Sequence, residues 1–311
     1  MILFTFVGYE RIKTALDATV AEVQSGQFRI SKYENRERFV EILTPVAGND
    51  CVLLGSIAPP DERLVSLTLL AHTLKKEGAK HVAALLPYLA YTRQDKKKSG
   101  QSLATAWAGV LMGASGCDSV ITIDVHSEAT RDLFPIPVLS AFPAEVFANA
   151  IKQYRLTEAT IVAPDNGAIR RCERVKEAAG IPKSPTPYFE KRRNETGIIH
   201  SGPIGTVGTQ ALLIDDILDT GGTLVSACER LVAAGVQEVN IMVTHGLFTG
   251  EHWKTLWSLG VRRIFCTDTV PLPADFNAAD FNGDKIVVLS IVPLLGRLLQ
   301  QQLCARSVSV K

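Results

Sequence analysis

The chain has 311 residues, of which 46% are hydrophobic and 21% charged, with 33 Lys and Arg against 32 Asp and Glu. A nearly neutral chain is poorly suited to nucleic acid, because binding by phosphate neutralisation needs a clear basic excess. No apolar run is long enough to span a bilayer, and the N-terminus reads as a strand without a cationic leader, so we expect neither a membrane span nor a signal peptide. The length favours about two domains.

Six cysteines are scattered along the chain without a Cys-x-x-Cys pair: Cys51, Cys117, Cys172, Cys228, Cys266 and Cys304. Their neighbours are mostly apolar, which predicts reduced thiols in a hydrophobic core. We therefore expect the protein to be cytoplasmic.

Short apolar runs alternate with longer helical patterns, which is typical of parallel sheets with crossover helices. The predicted strands, in chain order, are Ile2–Val7, Cys51–Leu54, His81–Leu86, Ser119–Ile123, Thr160–Ala163, Ala211–Ile214, Glu238–Val243, Arg263–Thr267 and Lys285–Ser290. Leu64–Glu77 and Thr223–Ala234 read as amphipathic helices that end at Gly78 and Gly235, because glycine suits a helix C-cap. A last helix is predicted over Val292–Gln301.

An internal repeat relates the two halves of the chain. The segment that begins at Leu74 aligns with the one that begins at Leu231, an offset of 157 (231 − 74), and a strand precedes and follows each helix. The predicted fold class is therefore α/β, with two similar doubly wound parallel-sheet domains. We place the domains at 1–146 and 147–311 and leave open whether the terminal helix packs back on the first domain.

The most informative stretch runs from a buried strand through an acidic pair and a glycine turn into a helix: Asp215, Asp216, Asp219, Thr220, Gly221, Gly222 and Thr223. The two glycines let backbone N–H groups converge on an anion, and the two threonines add hydroxyl donors at a helix N-terminus. The adjacent carboxylates would repel a phosphate, but they accept hydrogen bonds from vicinal hydroxyls. The stretch therefore predicts a site for a sugar phosphate.

This stretch resembles the 5-phosphoribosyl 1-diphosphate signature that phosphoribosyltransferases share with ribose-phosphate pyrophosphokinases. Four further segments are similar to the pyrophosphokinase family and follow its order: Tyr91-Thr-Arg93-Gln94-Asp95-Lys96-Lys97, Asp124-Val-His126, Ala163-Pro-Asp165-Asn-Gly167-Ala168-Ile-Arg170-Arg171 and Glu190-Lys191-Arg192-Arg193. The resemblance extends from Leu3 to the terminal helix. It implies two domains of the phosphoribosyltransferase type and transfer of a diphosphoryl group from MgATP to ribose 5-phosphate.

The resemblance also implies how ATP is bound. In the family, ATP is contacted by the loop that here carries Arg93 and Gln94, and its adenine by a hairpin from a neighbouring subunit, which here has Tyr33, Asn35 and Glu37. We therefore expect a homo-oligomer, from a dimer to a hexamer. The implied partners are ATP and ribose 5-phosphate, with no nucleic acid and no membrane.

Further roles follow from the same resemblance. Lys191 and Arg193 open the family's mobile catalytic flap, and Asp165 and Gly167 lie in its diphosphate loop. His126 and Asp165 are implied ligands of Mg²⁺, the expected cofactor. Cations suit this chemistry, because phosphoryl transfer depends mainly on positioning and on charge stabilisation.

Several positions depart from the family pattern. In the hairpin, Asn35 replaces an acid and Arg36 a glycine. Further along, Lys98 replaces an acid, Gln101 an arginine and Trp107 a lysine. Because that arginine belongs to the phosphate and ADP regulatory site of the best-known class, we predict altered or absent activation by phosphate.

Two local assignments rest on composition. We expect Arg170 and Arg171 to belong to a helix surface with Glu173 and Glu177 rather than to the diphosphate site. The Gly-rich and polar stretch Asn194–Gly202 suits the hinge of a flap, and it is equally compatible with a plain loop.

Two other functions stay open. A phosphoribosyltransferase would bind the diphosphate ester as a substrate with the same turn, but Arg93–Asp95 and the duplicated first domain argue against it. A catalytically silent homologue would bind and regulate active subunits. The retained Lys191, Arg193, His126 and Asp165 argue against that second alternative.

Overall fold

The computed structural model describes residues 1–20, 23–194, 197–272, 276 and 285–308, without the side chains of 191–194, 197–200 and 303–308. Its contacts divide the chain into two compact units. Unit 1 comprises Met1–Phe142 and Val292–Lys311, and unit 2 comprises Pro143–Ile291. The division falls four residues before the predicted boundary at 146 (146 − 142), and the C-terminal segment groups with unit 1.

The strands are β1 (Ile2–Thr5), β2 (Gln24–Gly26), β3 (Phe28–Lys32), β4 (Arg38–Ile42), β5 (Asp50–Leu54), β6 (His81–Leu86), β7 (Ser119–Ile123), β8 (Val138–Ala141), β9 (Thr160–Val162), β10 (Lys191–Asn194), β11 (Gly197–His200), β12 (Gln210–Leu218), β13 (Glu238–Gly246), β14 (Val261–Thr267) and β15 (Ile286–Leu289). The α-helices are α1 (Glu10–Thr19), α2 (Glu62–Lys76), α3 (Ala104–Ala114), α4 (Ala129–Leu133), α5 (Ala144–Gln153), α6 (Ile169–Ala179), α7 (Gly222–Ala233), α8 (Thr255–Ser258) and α9 (Val292–Val308).

The main sheet of unit 1 is parallel, with the order β2-β1-β5-β6-β7-β8 over the described residues. β5, β6 and β7 are almost wholly buried, as expected where helices cover both faces of a parallel sheet. α9 packs against α1 and β8. The amide Nε2 of Gln302 donates a hydrogen bond of 2.9 Å to the Ser119 hydroxyl, which ties α9 to the start of β7.

A separate antiparallel hairpin, β3–β4, lies beside α2 in unit 1. Arg38 on β4 forms an ion pair with Glu62 in the first turn of α2, and Lys32 Nζ on β3 lies 3.1 Å from the same carboxylate. The family resemblance implied a hairpin at 33–37, but apolar patterning did not predict its strands, because each has only five residues, largely half-exposed, and lacks a continuous apolar run.

The main sheet of unit 2 is also parallel, with the order β9-β12-β13-β14-β15 over the described residues. Its core is formed by apolar residues of the central strands and of α7, including Leu213, Ile241, Ile264 and Leu231. β10 and β11 form an antiparallel hairpin of their own.

The two sheets repeat one arrangement. β1-β5-β6-β7-β8 in unit 1 corresponds in order and direction to β9-β12-β13-β14-β15 in unit 2. β6 begins at His81 and β13 at Glu238, which reproduces the offset of 157 (238 − 81). The prediction of two similar α/β domains on parallel sheets is confirmed.

β12 is longer than predicted. It continues from the expected end at Ile214 to Leu218, so that Asp215 and Asp216 lie within the strand and not after it. Asp215 pairs with Val243 of β13, which is itself extended. The prediction was wrong here because the partner strand, distant in sequence, sets how far pairing continues, and local hydrophobicity does not contain that information.

The five cysteines whose side chains are described are unpaired and buried, as predicted: Cys51, Cys117, Cys172, Cys228 and Cys266. Burial raises the pKa of the Cys51 thiol to about 11 and that of the other four to about 12. These thiols therefore stay protonated near neutral pH.

None of the described helices has the length and apolar character needed to cross a membrane.

Candidate active site

The turn between β12 and α7 contains a glycine in the left-handed conformation. Gly221 has φ +91°, and a Cβ at this position would lie 2.7 Å from Cα of Trp253, so that both the backbone angle and the packing require glycine. The carbonyl groups of Leu218 and Asp219 accept hydrogen bonds from the backbone N–H groups of 247–249. Backbone pairing and side-chain packing thus both fix the turn.

α7 begins at Gly222, directly after this turn. The first N–H groups of an α-helix have no partner within the helix, and the helix dipole makes that end favourable for an anion. A Cβ on Gly222 would meet nothing within 4 Å, so the turn is open at this position. Thr220 is exposed and Thr223 half-buried, one on each side of the glycines. The arrangement supplies backbone and hydroxyl donors for a phosphate group.

The acidic pair lies at the carboxyl end of β12, next to the turn. Asp216 is buried and Asp215 is half-buried, and Oδ1 of Asp215 accepts a hydrogen bond of 2.9 Å from the backbone N–H of Asp216. Burial, followed by the neighbouring charge of Asp216, raises the pKa of Asp215 well above its usual range. Two carboxylates are thus held in a position where hydroxyl donors of a ligand would stabilise them.

Arg171 on α6 partly offsets this negative charge. Its Nη2 lies 3.9 Å from Oδ2 of Asp216, and its side chain is only 12% exposed. The guanidinium charge also opposes the rise in the pKa of Asp215. The expectation that Arg171 belongs to the helix surface with Glu173 and Glu177 is therefore corrected, because α6 turns Arg171 towards β12.

The diphosphate loop follows β9, the neighbour of β12 in the sheet. Asp165 accepts a hydrogen bond of 3.2 Å from the backbone N–H of Ala168, which begins a short 3₁₀ turn. Gly167 is exposed, and a Cβ on it would lie 3.2 Å from Oδ1 of Asp165. The charge of Asp165 contributes to the raised pKa of Asp215, so unit 2 brings the loop and the acidic pair together.

In unit 1, the predicted ATP loop and the predicted histidine meet at one cavity of about 410 Å³. Arg93, Gln94 and His126 all line it, together with the divergent Lys98 and Gln101. These residues come from the loops that follow β6 and β7, which are adjacent strands, and ligands of open α/β sheets bind beyond such carboxyl ends. The cavity therefore suits a phosphorylated ligand.

The turn of the β3–β4 hairpin carries the other predicted ATP residues. Its backbone is closed by hydrogen bonds from Tyr33 N–H to the Glu37 carbonyl and from Arg36 N–H to the Tyr33 carbonyl, each of 2.8 to 2.9 Å. Oδ1 of Asn35 accepts a further hydrogen bond of 3.1 Å from Glu37 N–H. Tyr33 is 58% exposed, and its ring packs against that of Phe39, with centroids 4.7 Å apart.

The predicted flap is the β10–β11 hairpin. Lys191 pairs with His200 and Arg193 with Ile198, and the hairpin continues in the bond of 3.1 Å from Ser201 N–H to the Glu190 carbonyl. β11 lies near α7, the helix that follows the turn of residues 219–221, which we call the phosphate turn. The side chains of Lys191 and Arg193 lie outside the described part of the chain, so their catalytic roles stay predictions.

Comparison with known proteins decides the family. The model for the N-terminal domain of ribose phosphate pyrophosphokinase matches residues 3–116, and the phosphoribosyl transferase domain model matches 143–267. The ribose-phosphate pyrophosphokinase of Clostridium acetobutylicum is 30% identical over 96% of this chain and 93% of its own length. The chain belongs to the ribose-phosphate pyrophosphokinase family. The Bacillus caldolyticus member is 29% identical over 94% of this chain and 92% of its own length.

A solved structure of the family agrees over both units. The phosphoribosylpyrophosphate synthetase of Mycobacterium smegmatis is 25% identical, with a TM-score of 0.84, and the match covers 96% of this chain and 97% of that one.

One residue of the diphosphate loop departs from the family pattern: Ala168 stands where the family has a second glycine. Ala168 is 1% exposed, so its methyl group is accommodated in the core.

A metal site of protein ligands alone is not present in the part of the chain that the structure describes, since it contains no group of three or more His, Cys, Asp or Glu side chains placed to hold an ion. Mg²⁺ commonly binds one or two carboxylates and takes its other ligands from water and substrate phosphates. The oxygen atoms of Asp165 beside the open Gly167 fit that pattern.

Two site residues were missed by the sequence analysis. Trp253 lies beneath the phosphate turn, where its ring stacks on Phe276 at 5.7 Å and meets the edge of Phe248 at 4.9 Å. Arg171, 3.9 Å from Asp216, had been predicted to lie on the surface of a helix and not at the site. Trp253 belongs to no local motif, and Arg171 ends the diphosphate-loop segment. Only the packing of distant segments shows that both lie at the site.

Proposed function

We propose that this chain transfers the diphosphoryl group of MgATP to the anomeric hydroxyl of ribose 5-phosphate and so forms 5-phosphoribosyl 1-diphosphate and AMP. Membership of the pyrophosphokinase family supports this function. The observation that carries it is the presence of two candidate sites in one chain. The cavity of unit 1 is lined by Arg93, Gln94 and His126, and the phosphate turn of unit 2 has a left-handed Gly221 packed on Trp253. The turn alone would equally suit a phosphoribosyltransferase.

Ribose 5-phosphate binds in unit 2 under this proposal. Its phosphate accepts hydrogen bonds from the N–H groups that open α7 and from the hydroxyls of Thr220 and Thr223. Its vicinal hydroxyls donate to Asp215 and Asp216, and the Arg171 guanidinium, 3.9 Å from Oδ2 of Asp216, offsets part of the negative charge of the pair. The ligand therefore supplies a negative charge for the helix N-terminus and hydroxyl donors for the carboxylates.

ATP is assigned to the cavity of unit 1. The guanidinium of Arg93 pairs with phosphate oxygens and Gln94 offers an amide to the nucleotide, and both line that cavity. Tyr33, Asn35 and Glu37 are assigned to the adenine of an ATP bound by a neighbouring subunit. A homo-oligomer, from a dimer to a hexamer, and a cytoplasmic location are parts of this proposal.

The transfer step is an in-line substitution at the β-phosphorus. The anomeric oxygen forms a bond to that phosphorus, the bond to the oxygen that bridges the α- and β-phosphates breaks, and the hydroxyl proton leaves to solvent. AMP departs with the bonding electron pair. Lys191 and Arg193 of the flap are assigned to stabilise the charge that develops on the bridging and equatorial oxygens.

Magnesium is the implied cofactor, and Asp165 and His126 are the residues assigned to it. Asp165 is the ligand type that Mg²⁺ prefers, and His126 is exposed at the cavity where ATP phosphates are expected. When bound, Mg²⁺ neutralises phosphate charge and aligns the diphosphoryl group for transfer. Asp165→Asn and His126→Gln each test one ligand, by the Mg²⁺ concentration needed for half-maximal activity.

The proposed reaction is tested by ³¹P NMR of the purified chain with ribose 5-phosphate, ATP and Mg²⁺. We expect AMP and a new diphosphate ester to form in equal amounts. Turnover that requires preformed ester and a nucleobase would assign a phosphoribosyltransferase. Absence of both reactions would assign a silent homologue.

A further inference from the structure

The predicted ATP loop starts from a strained tyrosine. Tyr91 has φ +65°, a left-handed conformation that is unfavourable for a residue with a bulky side chain. Such a conformation persists only where the surroundings hold it. Arg93 and Gln94 follow within three residues and line the cavity of unit 1.

The side chain of Tyr91 is held at both its hydroxyl and its ring. The phenol donates a hydrogen bond of 2.6 Å to Oδ1 of Asp61. Its ring meets Trp107 of α3 edge to face, with centroids 5.4 Å apart and an angle of 74°. Asp61 is the N-cap residue of α2, yet its side chain makes no capping hydrogen bond. A carboxylate at a common capping position is thus used to hold the loop.

The backbone of the loop is held at a third point. The buried hydroxyl of Thr105 donates to the carbonyl of Tyr91 at 3.1 Å and lies 3.0 Å from the carbonyl of Gln94, which also accepts from Thr105 N–H at 3.3 Å. Arg93 therefore lies between two anchored residues. Its position depends on the conformation of Tyr91.

We propose that Tyr91 is a positioning residue for ATP, locked in its left-handed conformation by Asp61 and Trp107. Without the lock, the loop spends less time in the form that presents Arg93 and Gln94 to the cavity, and apparent affinity falls in proportion to that population. The hydrogen bond to Asp61, more than burial, raises the pKa of Tyr91 to about 12, so the phenol remains a donor at neutral pH. Trp107 replaces a lysine of the family pattern, so the ring contact between Tyr91 and Trp107 is a feature of this chain.

The inference rests on the proposed assignment of the loop to ATP. The test compares Tyr91→Phe, Asp61→Ala, their double variant and Asp61→Asn by steady-state kinetics on the full chain. We expect Tyr91→Phe to raise the KM for ATP about fivefold and to leave the KM for ribose 5-phosphate unchanged. Asp61→Asn retains an acceptor for the phenol, so we expect a rise of only about twofold.

The double variant isolates the contact. Because each single change removes the same hydrogen bond, we expect the double variant to match Asp61→Ala within about twofold. Tyr154→Phe is the matched control, since Tyr154 packs against Phe265 in unit 2 and should keep both KM values. Two results would overturn the positioning role: additive increases in the KM for ATP in the double variant, or equal increases in the KM values for ATP and ribose 5-phosphate.

Arg93→Ala, measured in parallel, separates this inference from the site assignment. If Arg93→Ala raises the KM for ATP and Tyr91→Phe leaves it at the original value, the positioning role alone is wrong. If neither variant changes it, the ATP assignment of the loop is wrong as well, and the inference falls with it.

Discussion

Gly221 and Arg36 both adopt left-handed backbone conformations, with φ of +91° and +71°, but they do so in opposite surroundings. Gly221 is buried against Trp253, whereas Arg36 is exposed at the turn of the β3–β4 hairpin. The family has glycine at both places. This chain retains it only where a side chain would collide with neighbouring atoms.

The difference shows which kind of site tolerates change. A left-handed conformation costs a non-glycine residue about 1–2 kcal/mol, and an exposed hairpin bears this cost while its turn hydrogen bonds persist. At the phosphate turn the same cost would be added to a steric clash with buried backbone. In this chain, the turn built from backbone groups is constrained by packing, whereas the exposed turn of the β3–β4 hairpin varies in its side chains.

The largest expected effect comes from a substitution outside the two turns compared above, in the predicted flap. Lys191→Ala should lower kcat by a factor on the order of 10²–10³, because the flap cation acts on the transition state, and should leave the KM for ribose 5-phosphate nearly unchanged. Steady-state kinetics with each substrate varied measures both values. A variant with the original kcat would contradict the flap assignment.

A matched pair of substitutions tests the phosphate turn directly. Gly221→Ala should destabilise the fold by about 2–4 kcal/mol, from the left-handed backbone and the contact with Trp253 together. Gly222→Ala should leave the melting temperature unchanged or raise it, since its Cβ meets no atom within 4 Å. Thermal melts measure both variants. Equal decreases in melting temperature would show that packing does not distinguish the two glycines.

The acidic pair predicts a pH dependence of stability. Because the pKa of Asp215 is raised in the fold, the folded chain keeps a proton that the unfolded chain loses above about pH 4, so stability falls as the pH rises. Asp215→Asn removes this loss and should stabilise the ligand-free protein by about 1 kcal/mol near pH 8, with little gain near pH 4. It should also weaken ribose 5-phosphate binding about tenfold.

Melting temperatures measured between pH 4 and pH 8 test this effect. Glu229→Gln on the exposed face of α7 is the control and should shift the melting temperature equally at every pH. A stabilisation by Asp215→Asn that shrinks as the pH rises would contradict the raised pKa.

The smallest expected effect concerns the hairpin. Arg36→Gly should raise the stability of the protein by up to about 1 kcal/mol, because glycine relieves the left-handed strain but loses more entropy on folding. Glu34→Gly, at an exposed neighbour with an ordinary φ, should be slightly destabilising. Thermal melts compare the two, and a lower melting temperature for Arg36→Gly would show that its side chain holds the turn.

Much of the fold and part of the site could be predicted from local sequence. The strand that begins at His81 continues as an unbroken apolar run, the strand that begins at Glu238 is mostly apolar up to Val243, and the turn at Gly221 carries its own glycine and acid pattern. The extension of β12 and the contact of Arg171 with Asp216 could not be predicted, because they depend on neighbours far along the chain. Exposed features such as the β3–β4 hairpin lack the apolar periodicity that sequence interpretation uses.

The central claim is that the open start of α7 binds the phosphate of ribose 5-phosphate. Isothermal titration calorimetry with ribose 5-phosphate and Mg²⁺ tests it most directly, on the original chain and on the folded Gly222→Ala variant. We expect saturable binding at one site per chain, weakened about tenfold in the variant, where a methyl group occupies the phosphate approach. Absence of saturable binding, or equal affinity of the two proteins, would contradict the claim.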